Sequence, residues 1–250
     1  MIWEVNSNNI LEFSSQIIVL IKTGKISIKM ILYLIDSFSK IRNKDIVLFA
    51  DLYHKILDAF SCVIKPENDK LATLLFHKGF TFNNFTPYYE VDNILNIFSD
   101  DSPLHFIAWD KVDELKSKFP NLEIDETINF RFTPLDCACN FGSELCFNYL
   151  KNKGAQYSKD SAKLAIKGRN KNIFMQMIED GQSFDNIINT ALDYRNYEVA
   201  EYLKTKLGQK PDSLAESLHF GNYDIASYLI SNGADINNIY ILFLSISIII

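Results

Sequence analysis

The chain of 250 residues lacks the short fingerprints by which most enzymes announce themselves. It has no G-x-S-x-G elbow to expose a serine nucleophile and no H-E-x-x-H helix to hold zinc. It also has no P-loop and no dinucleotide fingerprint to cradle phosphate. These absences remove the common routes to hydrolase, metalloprotease and nucleotide-dependent chemistry, leaving open only a site assembled from residues distant in sequence. Positive charge is also scarce. Lys and Arg number 25 against 31 Asp and Glu, for a net charge of −6. The split is 10 basic to 11 acidic through Asp100 and 15 to 20 beyond it, so neither half is basic. A nucleic-acid binder needs clustered cations to displace counterions from phosphate, and none is expected here.

Cysteine is sparse and unpaired in its spacing. Cys62, Cys137, Cys139 and Cys146 fit neither a disulfide framework nor a zinc ribbon, so reduced thiols are expected. The amino terminus, MIWEVNSNNILEF, has no basic start and no small-residue cleavage site, and carries Glu4 and Glu12. An intracellular, cytoplasmic location is the expectation.

What is present is ample apolar material: 48% of residues are hydrophobic and 22% charged, enough to offset the entropy of ordering. The length exceeds a typical single core, so two modules are expected. Over residues 1–80, Ile46, Phe49, Tyr53, Ile56 and Phe60 recur at alternating spacings of three and four, which lays one apolar stripe along a helix. Ile28, Ile31, Ile35 and Phe38 do the same. Helical runs at Ile10 to Ile21 and Leu71 to Phe76 complete a predicted four-helix cluster, punctuated by Thr23-Gly24 and Pro66. The stretch 81–101 has no helical or strand period and is expected to be a connector. Its neighbouring aromatics, Phe80, Phe82, Phe85, Tyr88 and Tyr89, suggest either a loop packed on its surroundings or a ligand platform, the former being favoured.

From Ser102 a phrase repeats. With Gly142, Arg169, Arg195 and Gly221 as anchors, 27, 26 and 26 residues apart, Ala138, Ala165, Ala191 and Ser217 fall four before them. Cys146/Leu150, Ile173/Met177, Val199/Leu203 and Ile225/Leu229 fall four and eight after, forming one helical face repeated four times. Gly154, Gly181 and Gly233 stand twelve past, with Gly208 displaced by one, where a helix can end in the left-handed conformation. Each unit is therefore predicted as helix, turn, helix, glycine stop. Seven of the nine glycines lie here as punctuation.

The segments TPLDCAC (Thr133 to Cys139), SPLHFIA (Ser102 to Ala108) and NYDIASYLISNGADIN (Asn222 to Asn237) resemble the ankyrin signature. The likeness covers Ser102 to Asn238 as about five units. The period is shorter than the standard of roughly 33 residues, so the β-hairpin fingers should be reduced in the later repeats. More narrowly, DLYHKILDAF, AWDKVDELKSKFPNLEI and FGSELCFNYL resemble the helical domain and first repeats of large protozoan, trichomonad-type ankyrin families. That domain has no defined biochemical role and carries over no site residues.

The resemblance implies an all-α fold: an α-solenoid of short helix pairs with an N-terminal helical cluster. It implies a protein-protein interaction scaffold with no cofactor, whose partner is an unidentified protein and whose contact positions lie two and one residues before each anchor. These are Asn140 and Phe141, Lys167 and Gly168, Asp193 and Tyr194, and His219 and Phe220. Phe141 and Phe220 could equally fill gaps between repeats. Cys137, Cys139, Cys146 and His105 have the chemistry of metal ligands but not the spacing. Cys139 and Cys146 fall in repeat columns held elsewhere by aliphatic residues, and His105 falls where ankyrin repeats place a turn histidine capped by Ser102.

The last twelve residues, IYILFLSISIII (239–250), carry no charge. As a helix of roughly 18 Å they fall short of a hydrocarbon core of about 30 Å. A truncated further repeat, or a segment packed on the last helix pair, is expected in place of a membrane span. Two rival readings remain: a degenerate repeat protein with no surviving partner, and an unrecognised enzyme.

Overall fold

Regular structure in this protein is helical, as the periodicity predicts. The computed structural model describes residues 2–128 and 132–211, and among them the one departure from helix is an isolated antiparallel bridge between Ile128 and Phe132. The fold class is all-α. No helix among the described residues is long and apolar enough to cross a membrane. The chain divides into two compact units, Met1–Ser99 and Asp100–Ile250.

In the first unit, α1 (Ile10–Lys22), α2 (Ile28–Ile41), α3 (Ile46–Ala59) and α4 (Asp69–His77) take up the four predicted runs. Side-chain oxygens start two of them. Ser27 Oγ accepts from Met30 N at the head of α2, and Asn68 Oδ1 accepts from Lys70 N at the head of α4. The stripe of α3 is the centre of the core, with Phe49, Tyr53 and Ile56 at 1% exposure or less, and α3 packs against α1, α2 and α4. Each such side chain contributes about 1.5–3 kcal/mol through burial.

Two polar clamps hold these helices in register. In the bend after α2, the Arg42 guanidinium donates to Trp3 O and to Val5 O (3.0 Å), pairs with Asp45 (2.7 Å) and lies 5.2 Å over the Phe49 ring. Asp36, buried on α2, pairs with Lys40 at 2.7 Å and accepts from Asn68 N at 2.8 Å, so the head of α4 is fixed to the middle of α2.

The stretch 81–101 departs from the expected connector. Residues 81–99 belong to the first unit, where they form α5 (Val91–Leu95) and bury Phe82 and Ile94 in its core. Phe80 and Phe85 pack on the same core, and the Lys65 ammonium lies 4.8 Å over the Phe85 ring. Three scattered aromatics are enough to anchor a segment that has no period, a signal invisible to a test for 2 or 3.6. Tyr88, 88% exposed, stays outside that packing.

The second unit contains four described helix pairs: α6 (Pro103–Ala108) with α7 (Val112–Lys118), α8 (Pro134–Phe141) with α9 (Glu144–Asn152), α10 (Ser161–Gly168) with α11 (Lys171–Glu179), and α12 (Ile188–Asp193) with α13 (Tyr197–Leu207). Each first helix touches the next first helix, α6 with α8, α8 with α10 and α10 with α12. Second helices α7, α9 and α11 touch in sequence too. The repeat columns form the core: Ala138, Ala165 and Ala191 are at most 1% exposed, and Cys146/Leu150, Ile173/Met177 and Val199/Leu203 at most 2%. The expected fifth unit and the apolar tail lie outside the described residues.

The anchor column has a conformational meaning that spacing alone did not carry. Gly142, Arg169 and Arg195 all take positive φ, at 65°, 56° and 49°, and Asp110 joins them at 56° as the anchor of the first pair. The chain turns between the two helices of every pair through one left-handed residue. Three of the four are not glycine, although a Cβ costs about 1–2 kcal/mol in that region.

Candidate partner-binding face

The face to which the sequence points is formed by the first helices of the second unit. Helix α8 begins at Thr133, whose hydroxyl accepts from Asp136 N at 3.1 Å, with Pro134 in the first turn where its missing N–H is harmless. Asp136 then reaches across to the next pair. Its carboxylate, 6% exposed, accepts a 2.5 Å hydrogen bond from Ser161 Oγ at the head of α10.

At their other ends the same two helices meet backbone to backbone. A Cβ placed on Gly168 would lie 2.0 Å from Cys139 O and 2.7 Å from Gly142 N, so only glycine permits this approach. Gly168 is helical, and its lack of a side chain serves closeness, not a turn. Its role in the structure is thus packing, beyond the punctuation that its place in the sequence implies. Pinned at both ends, α10 has a fixed rotation against α8.

That rotation aims Lys163, Leu164 and Lys167 into a recess of about 270 Å³, closed by Phe132, Asp136 and Asp160. The Lys167 ammonium lies 5.2 Å over the ring of Tyr194, at the end of α12 in the next pair, a cation–π distance. Burial lowers the pKa of Lys167, against the opposing pull of Asp160. Burial raises that of the Tyr194 phenol, with Lys163 acting to lower it and Asp193 to raise it. Neither Lys163 nor Lys167 has a carboxylate within ion-pair distance among the described residues.

The expected contact residues are therefore divided. Lys167 and Tyr194 are brought together, Asp193 closes α12 beside them, and all three are half-buried. Asn140 and Phe141, also half-buried, sit at the end of α8 and do not line the recess. His219 and Phe220 lie outside the described residues. Sequence reasoning missed Lys163, Asp160 and Phe132. Lys163 had a readable signal: it stands four residues before Lys167, one turn away on the same helix face.

Three of the four cysteines are core residues. Cys137, Cys139 and Cys146 are completely buried, and burial pushes the thiols of Cys139 and Cys146 up. His105 is buried on α6, where Ser102 Oγ accepts from Leu104 N at 3.3 Å. A larger hollow, of about 470 Å³, lies on α1 in the first unit. It is lined by Ser15, Gln16, Val19 and Leu20 and offers no ionisable group. No family model, curated protein or solved structure matches this chain.

Proposed function

We propose that the second unit is an ankyrin-like α-solenoid acting as a non-catalytic scaffold inside the cell, which binds a partner protein through the face made by α8, α10 and α12. One observation carries this reading. Asn140, Lys167 and Asp193 occupy the same place on three successive first helices, each half-exposed, two residues past a small buried side chain (Ala138, Ala165 and Ala191) or its equivalent turn. Variable chemistry over a constant core is what a recognition surface on stacked helix pairs requires. Four free cysteines, three of them buried, accord with a reducing compartment.

The test is a pull-down from an extract of the native cell, comparing the full chain with the triple variant Asn140→Ala, Lys167→Ala, Asp193→Ala. A protein held by the first and released by the second, with the helical circular dichroism unchanged, supports the scaffold. Equal retention by both, or retention by neither, overturns it in favour of a repeat protein with no surviving partner.

A further inference from the structure

Lysine on a protein surface is ordinarily solvated or paired, and the second unit supplies examples. Lys151 pairs with Asp180 at 3.2 Å, Lys116 with Asp113 at 3.5 Å, and Lys171 with Glu198. Lys163, exposed, and Lys167, half-buried, differ from these in having no carboxylate within ion-pair distance among the described residues. They lie one turn apart on α10 and line the same recess. Lys167 is desolvated as well, its ammonium held over the Tyr194 ring. With Asp160 acting on it only at longer range than an ion pair, this partly dehydrated ammonium can take a closer anion without first stripping a full hydration shell.

The walls limit what that anion can be. Phe132 and Leu164 supply apolar surface in the lining, so the entering group should carry apolar atoms next to its charge. Asp136, hydrogen-bonded to Ser161, and the exposed Asp160 both stand in the lining, so a carboxylate enters only by pairing with the two lysines, and a second negative charge is repelled. One carboxylate is admitted; a run of them, or the polyanionic backbone of a nucleic acid, meets Asp160. The volume of about 270 Å³ suits one or two side chains, not a folded surface.

We infer that the α8–α10 recess, together with Tyr194, captures a single Asp or Glu side chain from an extended segment of the partner protein, next to an aliphatic or aromatic residue. Lys163 and Lys167 pair with the carboxylate, and Phe132 and Leu164 receive the apolar neighbour. This rests on the scaffold reading above and gives its partner a chemistry.

The experiment uses the full chain as bait for a phage-displayed library of random dodecapeptides. Each peptide is fused at its C-terminus, so chain-end carboxylates are absent and only side chains can answer. Selected peptides should carry one Asp or Glu beside an apolar residue. Their affinity should fall at least tenfold with K163Q/K167Q at unchanged helical circular dichroism, and fall with rising salt. Selection repeated on K163E/K167E should enrich Lys or Arg instead.

Peptides with no acidic preference, or binding untouched by K163Q/K167Q, overturn the inference. If those peptides are nevertheless lost with Asn140→Ala and Asp193→Ala, the scaffold reading survives without it. No selected peptide at all overturns the inference, and the native-extract pull-down then decides the scaffold reading separately.

Discussion

The two units of this chain are built from the same element but differ in what holds each helix. In Met1–Ser99 the helices are 13 and 14 residues long in α1 to α3, and their large side chains meet in one shared cluster centred on α3. In the second unit no described helix exceeds 11 residues, most have six to nine, and each pair is supported by the pair before and the pair after. Helices that short are marginal alone, so their stability is a property of contact with neighbours. A shared core concentrates sensitivity at its centre, whereas a series of pairs distributes it over every junction.

The largest effect should come from the centre of the shared core. Phe49→Ala removes a fully buried ring that also lies under Arg42, and should destabilise the first unit by about 3–5 kcal/mol, read from urea unfolding. A loss under 2 kcal/mol would show that the core relaxes and that the contrast between the units is weaker than drawn. Gly168→Ala tests a junction. With its Cβ 2.0 Å from a backbone oxygen, α8 and α10 must separate, and about 3 kcal/mol should be lost from the second unit while the first unit's transition is unmoved. If both transitions shift together, the units do not unfold independently.

A smaller effect is expected at the junction formed by Asp180. Its carboxylate accepts 2.6 Å and 2.9 Å hydrogen bonds from Tyr157 Oη and Gln176 Nε2 and pairs with Lys151, and the bond from Tyr157 leads in holding its pKa below the ordinary value. A depressed folded pKa stabilises above the unfolded value of about 3.9 and loses that contribution as pH falls through the folded value. Asp180→Asn should therefore cost under about 1 kcal/mol at pH 7, with the difference from wild type closing in thermal melts as pH falls through the lowered folded value. A gap that persists in acid would assign the effect to shape. Least of all, Arg169→Gly should stabilise by about 0.5 kcal/mol: the relief of a left-handed Cβ at φ 56° outweighs the loss of the side chain's interactions, among them a 3.3 Å hydrogen bond to Arg195 O. A loss instead would mean that the arginine side chain outweighs its backbone strain.

Sequence periodicity was informative wherever a helix carried one continuous stripe. Ile46, Phe49, Tyr53 and Ile56 of the α3 stripe, and the small and aliphatic columns among the described residues, are buried as their spacing implied, because burial is what imposes a period in the first place. Three features were illegible for physical reasons. Phe82 and Ile94 dock a segment through isolated contacts, which leave no period. Gly168 and Gly142 are the same letter serving different ends, one for close approach and one also for positive φ, and only distances separate them. Asp110 is a fourth anchor disguised by its residue type and by lying 32 positions before Gly142. At the candidate site, Lys167 and Tyr194 were legible separately, but their meeting across two pairs depends on the rotation of α10 that Asp136 and Gly168 impose.

The residue after the left-handed anchors Gly142, Arg169 and Arg195 ties its pair to the one before. Ser143 Oγ donates to Ala108 O at 3.3 Å, and Asn170 and Asn196 donate through Nδ2 to Gly142 O and Ile166 O, each at 3.1 Å. In every case the later pair brings the donor and the earlier pair offers a main-chain carbonyl. These three joints therefore share one direction. A pair emerging from the ribosome finds its acceptors already built, and the acceptor, being backbone, makes no demand on the identity of the residue that carries it.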